Sequence, residues 1–170
     1  QIVFNIGDEQ MTDTLQKLHD LTGSVTEMLE ERYEAKQEIT GVPTGYYELD
    51  RLLAGLQPGT LNIVGARPAM GKSALALGMA VNVAKKTGRP VLFFSLEMGW
   101  EQLVQRVLCR QAQVNMHLLR TGKLSQRDYP KLSLAVGPIS DSRIFIDDHP
   151  SLNILELRAK CRRLKAQQGL

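Results

Sequence analysis

One segment of this chain, residues 61–73, constrains its fold more than any other. It reads LNIVGARPAMGKS and is followed by the alanine- and leucine-rich stretch ALALGMAVNVAKK. Residues 61–65 predict a buried β-strand, the glycines and prolines after them predict a loop, and residues 72–86 predict a helix. A strand, a loop ending in Gly-Lys-Ser and a helix form the context in which backbone amides surround phosphate groups. The segment therefore predicts a phosphate-binding loop (P-loop) beside a parallel sheet.

The predicted P-loop supplies donors that match a nucleoside triphosphate. Backbone N–H groups of residues 70–74 would surround the β-phosphate at the positive end of the helix. Lys72 would reach the β- and γ-phosphates, and the Ser73 hydroxyl would bind Mg²⁺. The first glycine of the strict pattern falls on Ala66, with Gly65 one place early, so the loop is a variant. The predicted ATP-binding residues are Ala66, Arg67, Pro68, Ala69, Met70, Gly71, Lys72, Ser73 and Ala74.

A second buried strand, predicted at residues 90–96, leads directly to Glu97. Ligands gather at the carboxyl ends of parallel strands, so Glu97 should face the same crevice as the P-loop. Hydrolysis of a γ-phosphate needs a group that orients the attacking water and accepts its proton. Glu97 is the candidate, although a glutamate before a helix is also favoured by the helix dipole alone.

The remaining pattern predicts an α/β domain with a mostly parallel sheet. A third strand is predicted at residues 143–147, and alternation of strands with helices requires crossover connections. Further helices are predicted at residues 100–113, 116–121, 126–136 and 153–168.

Residues 1–39 have a different character and predict a helical linker region. Apolar residues at helical spacing include Met11, Leu15 and Met28, and Gly23 is expected to interrupt them. Ser24 and Glu27 form a capping-box pattern, which predicts a second helix that runs to about residue 36. Because residues 1–6 are also apolar, we expect this region to pack on another surface. The predicted domains are thus residues 1–39 and 40–170.

Composition adds little beyond these motifs. The net charge of +3, from 21 basic and 18 acidic residues, is too small to indicate a polyanionic partner. The two cysteines, Cys109 and Cys161, lie in predicted helices and are expected to be buried thiols in a reducing compartment. Neither a leader pattern nor an apolar run of about 20 residues occurs, so a cytoplasmic protein is expected.

Eight short segments together carry a family resemblance that covers residues 40–170. They are 40–45 (TGVPTG), 49–50 (LD), 55–59 (GLQPG), 66–73 (ARPAMGKS), 94–98 (FSLEM), 120–124 (RTGKL), 144–148 (IFIDD) and 157–160 (LRAK). The set resembles the RecA-like motor domain of the bacterial replicative DNA helicases, the DnaB family. The variant loop with Ala66, Arg67 and Pro68 is itself typical of that family.

The resemblance implies an ATP- and Mg²⁺-dependent helicase subunit that unwinds duplex DNA in the 5′-to-3′ direction. It also implies a homo-hexamer on single-stranded DNA, with primase and a helicase loader as partners. Glu97 matches the family's water-activating carboxylate, and residues 1–6 resemble the linker element that docks on a neighbouring subunit. The family's magnesium-supporting aspartate, sensor glutamine, arginine finger and DNA-binding loops are expected beyond residue 170, so residues 1–170 alone are expected to be inactive.

Three weaker patterns are interpreted as structural features without a catalytic or binding role. Residues 144–148 could pass for the magnesium-supporting strand, but turn and capping roles are favoured for Asp147 and Asp148, and His149 reads as a loop residue. The basic residues of the last helix are expected to form a solvated face above an apolar stripe. Trp100 and Tyr129 are interpreted as packing residues.

Two alternative functions stay open at this point. One is another RecA-like ring ATPase, of recombinase, DNA-repair or clock-protein type, that does not unwind DNA. The other is a nucleotide-binding assembly module without turnover.

Overall fold

A computed structural model describes residues 17–36 and 38–169. The chain divides into two compact units between Glu38 and Ile39. The first unit contains helix α1 (Leu18–Ala35). The second unit contains helices α2 (Tyr47–Leu53), α3 (Lys72–Thr87), α4 (Trp100–Ala112), α5 (Met116–Arg120), α6 (Asp128–Ser140) and α7 (Ile154–Gln168), and strands β1 (Val91–Phe94) and β2 (Ile144–Asp147).

Helix α1 runs without a break through Gly23 and Ser24, so the predicted interruption and the predicted capping box are both wrong. A glycine inside a helix costs about 1 kcal/mol relative to alanine, a cost that an 18-residue helix can absorb. The helix ends at Ala35, close to the predicted end at about residue 36, and its C-cap Lys36 adopts a left-handed conformation with φ 45°. None of its residues is buried. The predicted apolar positions before residue 17, including residues 1–6, lie outside the described residues.

Strands β1 and β2 form a parallel pair, as the alternating pattern predicts. Their register runs from Val91 opposite Ile144 to Phe94 opposite Asp147. Helices α4, α5 and α6 lie between the two strands in the chain, which is the crossover that parallel pairing requires. Both predicted strands are therefore confirmed, with slightly shorter bounds.

The strand predicted at residues 61–65 is absent: these residues form no ladder within the described chain. The Leu61 and Ile63 side chains are 86% and 84% exposed. A cavity of about 390 Å³ has Asn62 and Val64 on its lining together with Phe93 and Phe94 of β1. Because this space separates the segment from β1, ladder hydrogen bonds between them cannot form. The prediction of a strand here is wrong for the described residues.

The core of the second unit lies between α3, α4 and the sheet. Leu77 and Val81 of α3 pack with Leu103 and Val107 of α4, and Leu103 is fully buried. Partly buried apolar residues cover this cluster: Phe93, Met98, Ile139, Ile144 and Ile146. This cluster packs α3 and α4 together beside the sheet.

The outer helices are less covered than the pattern predicts. The predicted apolar stripe of α7 does not reach the core, because Leu157, Cys161 and Leu164 are half-buried and Ile154 is 75% exposed.

Cys109 is buried as predicted, and burial raises the pKa of its thiol. Helix α6 ends four residues later than predicted, at Ser140. No helix in residues 17–36 or 38–169 is long and apolar enough to cross a membrane.

Candidate phosphate-binding site

The predicted site residues come together around one cavity of about 520 Å³. Every residue of the predicted loop lines it, and Glu97 does so from the turn after β1. The lining residues are Ala66, Arg67, Pro68, Ala69, Met70, Gly71, Lys72, Ser73, Ala74, Glu97, Met98 and Arg106. The expected juxtaposition of loop and carboxylate is therefore present.

The first half of the loop is a tight turn built on Pro68. The Met70 N–H donates to the Arg67 carbonyl at 3.2 Å, and Ala69 has a positive φ of 64°. Proline at the second position and a positive φ at the third are the pattern of a type II turn. Among the described residues, the other non-glycine residues with positive φ end helices α1, α2 and α4, so Ala69 is the one held this way inside a loop. A left-handed alanine costs about 1–2 kcal/mol.

Gly71 connects this turn to α3. It has φ 85°, a region that glycine enters without steric cost, and its carbonyl accepts from the Leu75 N–H at 2.9 Å. Glycine has no side chain with which to cap the helix, so the first-turn amides of Lys72, Ser73 and Ala74 have no side-chain acceptor from the cap residue. These N–H groups and the positive end of the helix dipole lie at the cavity.

Glu97 lies in a turn whose geometry is set by Ser95. The buried Ser95 hydroxyl donates to the Met98 carbonyl at 2.7 Å, and the Met98 N–H approaches the same hydroxyl oxygen at 3.3 Å. The Ser95 N–H donates to the Asp147 carbonyl at 2.8 Å, which extends the sheet pairing by one residue. The Glu97 side chain itself is exposed to the cavity. The turn is thus fixed while its carboxylate is accessible to a ligand.

Arg106 is a cavity residue that sequence reasoning missed. It lies on α4, two turns into the helix, and its half-buried side chain lines the cavity beside the loop. Its Nε is buried and has no hydrogen-bond partner among the described residues. A guanidinium with unused donors next to open amides favours a bound anion. The distance of nine residues from Glu97 belongs to no short motif, so only the fold could bring the two together.

A buried carboxylate outside the cavity ties the preceding loop together. Asp50 accepts hydrogen bonds from the Thr44 N–H and hydroxyl and from the Gly45 N–H, at 2.6, 2.6 and 2.9 Å. Burial alone would raise the pKa of Asp50, but these hydrogen bonds, helped by the charge of Lys86, hold it below its ordinary value. The Thr44 carbonyl then accepts from Asn82 of α3 at 3.0 Å. This network attaches residues 44–50 to the helix that follows the P-loop.

Asp147 and Asp148 serve turn and capping contacts, as predicted. Asp147 accepts from the His149 N–H at 3.2 Å and pairs with Lys160 of α7. The hydrogen bond from Lys160 is the main reason why the pKa of Asp147 is held below its ordinary value. Asp148 caps α4 by accepting the Trp100 N–H at 2.9 Å. No cluster of three or more metal-binding side chains occurs in the part of the chain that the structure describes.

The structure also tests two other weak patterns, the basic residues of α7 and the aromatic residues Trp100 and Tyr129. The basic residues of α7 are exposed except for Lys160, which agrees with the predicted solvated face. Trp100 and Tyr129 are 55% and 57% exposed, so neither lies in the core, and their interpretation as packing residues stays a prediction.

The second unit has parallel strands, a Gly-Lys-Ser loop that leads into a glycine-capped helix, and a carboxylate after β1 in the same cavity. This combination is the architecture of P-loop nucleotide-binding domains. Residues 41–170 match the sequence profile described as "DnaB-like helicase C terminal domain". The chain belongs to this family, and its fold is RecA-like.

Similar proteins agree with this assignment. The chain is 46% identical over 168 residues to the replicative DNA helicase DnaC of Bacillus subtilis, and 44% identical over 168 residues to the replicative DNA helicase DnaB of Geobacillus stearothermophilus. Each alignment covers 99% of this chain and 37% of the relative. The chain thus spans little more than a third of the length of these relatives.

Two solved structures share the fold. One, described as an ATPase domain, has a TM-score of 0.80 and 32% identity, over 86% of this chain and 52% of that one. The other, a DnaB-like replicative helicase described with its interactions with primase, has a TM-score of 0.79 and 30% identity, over 97% of this chain and 39% of that one. An ATPase domain in this fold implies that the family binds nucleotide.

Proposed function

We propose that this chain forms the nucleotide-binding part of a replicative DNA helicase that couples ATP hydrolysis to 5′-to-3′ unwinding of duplex DNA. The observation that carries the proposal is the cavity in which the P-loop, Glu97 and Arg106 meet. The similarity to helicases over 99% of the chain supports it. A cytoplasmic location follows from the proposed work at the replication fork.

The lining residues fit magnesium-bound ATP. The open amides at the start of α3 and the Lys72 ammonium match the negative charge of the β- and γ-phosphates. Arg106 adds a second cation whose Nε is unpartnered in the described structure. The half-buried hydroxyl of Ser73 provides one oxygen ligand of the kind that Mg²⁺ binds in P-loops. The metal, when bound, neutralises phosphate charge.

Glu97 is proposed to activate the attacking water. Its carboxylate is exposed to the cavity, and the turn that carries it is held by the hydrogen bond from the Ser95 hydroxyl to the Met98 carbonyl. A carboxylate so placed can orient a water for in-line attack and accept its proton. Loss of that proton acceptor should lower turnover without loss of nucleotide binding.

The proposed assembly is a homo-hexamer that surrounds single-stranded DNA, with ATP bound between subunits and an arginine finger supplied by the neighbour. Residues 1–39 are proposed to be the linker that docks on an adjacent subunit, and residues 40–170 the beginning of the motor domain. The exposed apolar side chains of α1 support the first part: Val25, Met28 and Leu29 are 49%, 46% and 57% exposed. Primase and a helicase loader are proposed as partners, and a relative's structure with primase supports the former.

The cavity between residues 61–65 and β1 has a proposed role in this assembly. The family's magnesium-supporting strand, which the resemblance places after residue 170, would enter it and pair with the segment that carries Leu61 and Ile63. The apolar side chains on both walls of the cavity, Val64 on one and Phe93 on the other, suit a buried strand. Without that strand and its aspartate, residues 1–170 alone should release almost no phosphate from ATP.

The test is an unwinding assay on a forked duplex with the intact protein. Glu97→Gln should lose both ATP hydrolysis and unwinding by at least about 100-fold while it still binds Mg-ATP. The matched control is Glu101→Gln, an exposed glutamate on the first turn of α4 that does not line the cavity. ATP hydrolysis without any unwinding by the unmutated protein would favour the ring-ATPase alternative instead. Full hydrolysis by Glu97→Gln would contradict the role of this carboxylate.

A further inference from the structure

The start of α4 is capped from another part of the chain. The residue before the helix is Gly99, which has no side chain that could accept the first N–H groups. The Trp100 N–H instead donates to the Asp148 carboxylate at 2.9 Å, across a sequence separation of 48 residues. Asp148 directly follows β2, so this contact joins the carboxyl end of one strand to the helix that follows the other.

The same strand end also holds the turn that carries Glu97. The Ser95 N–H donates to the Asp147 carbonyl at 2.8 Å, two residues before Glu97, and Asp148 holds Trp100 three residues after it. Glu97 therefore lies on a short bridge whose two ends are bound to adjacent residues. Within the bridge, the Ser95 and Met98 bonds close the turn around Glu97, and the Asp148 contact holds the point where that turn continues into α4.

We propose that Asp148 is a positioning residue that fixes the orientation of the Glu97 carboxylate relative to the P-loop. This rests on the proposed role of Glu97. A carboxylate cap keeps the first turn of α4 wound, because it satisfies an N–H group that the helix leaves free and complements the helix dipole. If the cap is removed, the turn keeps its Ser95 and Met98 bonds, but its junction with α4 loses the hydrogen bond that ties it to the end of β2.

The consequence for catalysis is specific to one step. The P-loop is held by its own turn and by α3, neither of which contacts Asp148 through a hydrogen bond in the described residues. Nucleotide binding should therefore survive the loss of the cap. Orientation of the attacking water should not, because a displacement of about 1 Å at a catalytic group can reduce turnover by about 100-fold.

The experiment compares Asp148→Ala with Asp148→Asn in the intact protein by steady-state ATP hydrolysis. Asp148→Ala should lower kcat by about 10- to 100-fold and leave KM within about twofold. Asp148→Asn should stay within about threefold of the unmutated kcat, since an amide oxygen caps helices nearly as well as a carboxylate. Asp141→Ala is the matched control, because Asp141 is an exposed aspartate at the end of α6 that makes no hydrogen bond to α4 among the described residues.

A double-mutant cycle separates positioning from general structural damage. In a Glu97→Gln background, single-turnover hydrolysis should be the same with and without the Asp148→Ala substitution, because the group to be positioned is already lost. An equal loss in both backgrounds, or a KM that rises in step with the fall in kcat, would overturn the proposal. So would an Asp148→Ala protein with unchanged kcat.

Two further comparisons separate a loss of positioning from a loss of folding and from a failure of the proposed role of Glu97. If Asp148→Ala lowers the folded fraction, Asp148→Glu replaces it: this change keeps the charge and displaces the acceptor by one methylene, and its kcat loss should likewise vanish with Glu97→Gln. If Glu97→Gln hydrolyses ATP normally, the proposed role of Glu97 fails first, and this result is distinct from a failure of positioning.

Discussion

The backbone N–H and the hydroxyl of Thr44 both donate to one carboxylate oxygen of Asp50, each at 2.6 Å. Thr44 is fully buried and Asp50 is 4% exposed. This pair fastens the loop before the P-loop, and through Asn82 it also fastens α3. The arrangement is therefore expected to matter for stability more than its distance from the cavity suggests.

Asp50→Asn should lower the free energy of unfolding by about 3 kcal/mol, because charge-assisted hydrogen bonds weaken and the Gly45 N–H then faces an amide donor. Urea denaturation measures this. The comparison is Asp128→Asn, a partly exposed aspartate that accepts from Ser125 and Lys131. Its loss should be clearly smaller. Equal losses would show that burial of the Asp50 network adds nothing.

The lowered pKa of Asp50 also predicts a pH dependence. A carboxylate whose pKa is lower in the folded than in the unfolded state stabilises the fold above its unfolded pKa of about 3.9. That contribution is lost as the pH falls below this value and through the folded pKa. Denaturation midpoints measured from pH 7 to pH 2.5 should drop more steeply for the unmutated protein than for Asp50→Asn. Parallel curves would contradict the assignment.

The positive φ of Ala69 predicts an unusual response to glycine. Ala69→Gly should leave the free energy of unfolding unchanged or raise it by up to about 1 kcal/mol, since glycine adopts this conformation without the steric cost. The same substitution at buried Ala84 of α3 should lower it by about 1 kcal/mol or more. Thermal or urea unfolding of both variants checks the opposite signs. A clear loss with Ala69→Gly would mean that the turn is not strained.

Arg106 should contribute to nucleotide affinity. Arg106→Ala is expected to weaken Mg-ATP binding by about tenfold, because a charge-assisted contact to phosphate would be lost. Arg110→Ala is the control one turn further along α4: Arg110 does not line the same cavity, and its guanidinium lies 5.9 Å from the ring centre of Tyr46. Equilibrium binding of a fluorescent ATP analogue compares the two. Equal Mg-ATP affinities in both variants would show that Arg106 does not contribute to nucleotide binding.

The local parts of the site could be predicted from the sequence because each depends on neighbouring residues. A loop between an apolar run and a helix needs only the order of Gly65, Pro68 and Gly71, and β1 followed by Glu97 needs only an apolar run that ends in a carboxylate. The parallel direction of β1 and β2 also followed from the sequence, because strands that alternate with helices obey a rule of topology that needs no knowledge of individual distant contacts. These features are present in the structure because no long-range contact competes with them.

Features that depend on distant partners could not be read in this way. Residues 61–65 have the composition of a strand, but a strand exists only where a partner offers hydrogen bonds, and β1 lies across a cavity. The cap on Trp100 comes from Asp148, and no local pattern relates the two. Gly23 shows the opposite case, because the helix continues through this local helix breaker.

Triphosphate binding by the P-loop is tested most directly by the equilibrium affinity of the intact protein for Mg-ATP before and after Lys72→Ala. Loss of the ammonium at the P-loop should weaken binding by about 100-fold, while Lys85→Ala, at the opposite end of the same helix, should change it by less than about twofold. If Lys72→Ala binds Mg-ATP as tightly as the unmutated protein, the cavity formed by the loop and α3 does not hold the triphosphate, and the proposed motor function is contradicted.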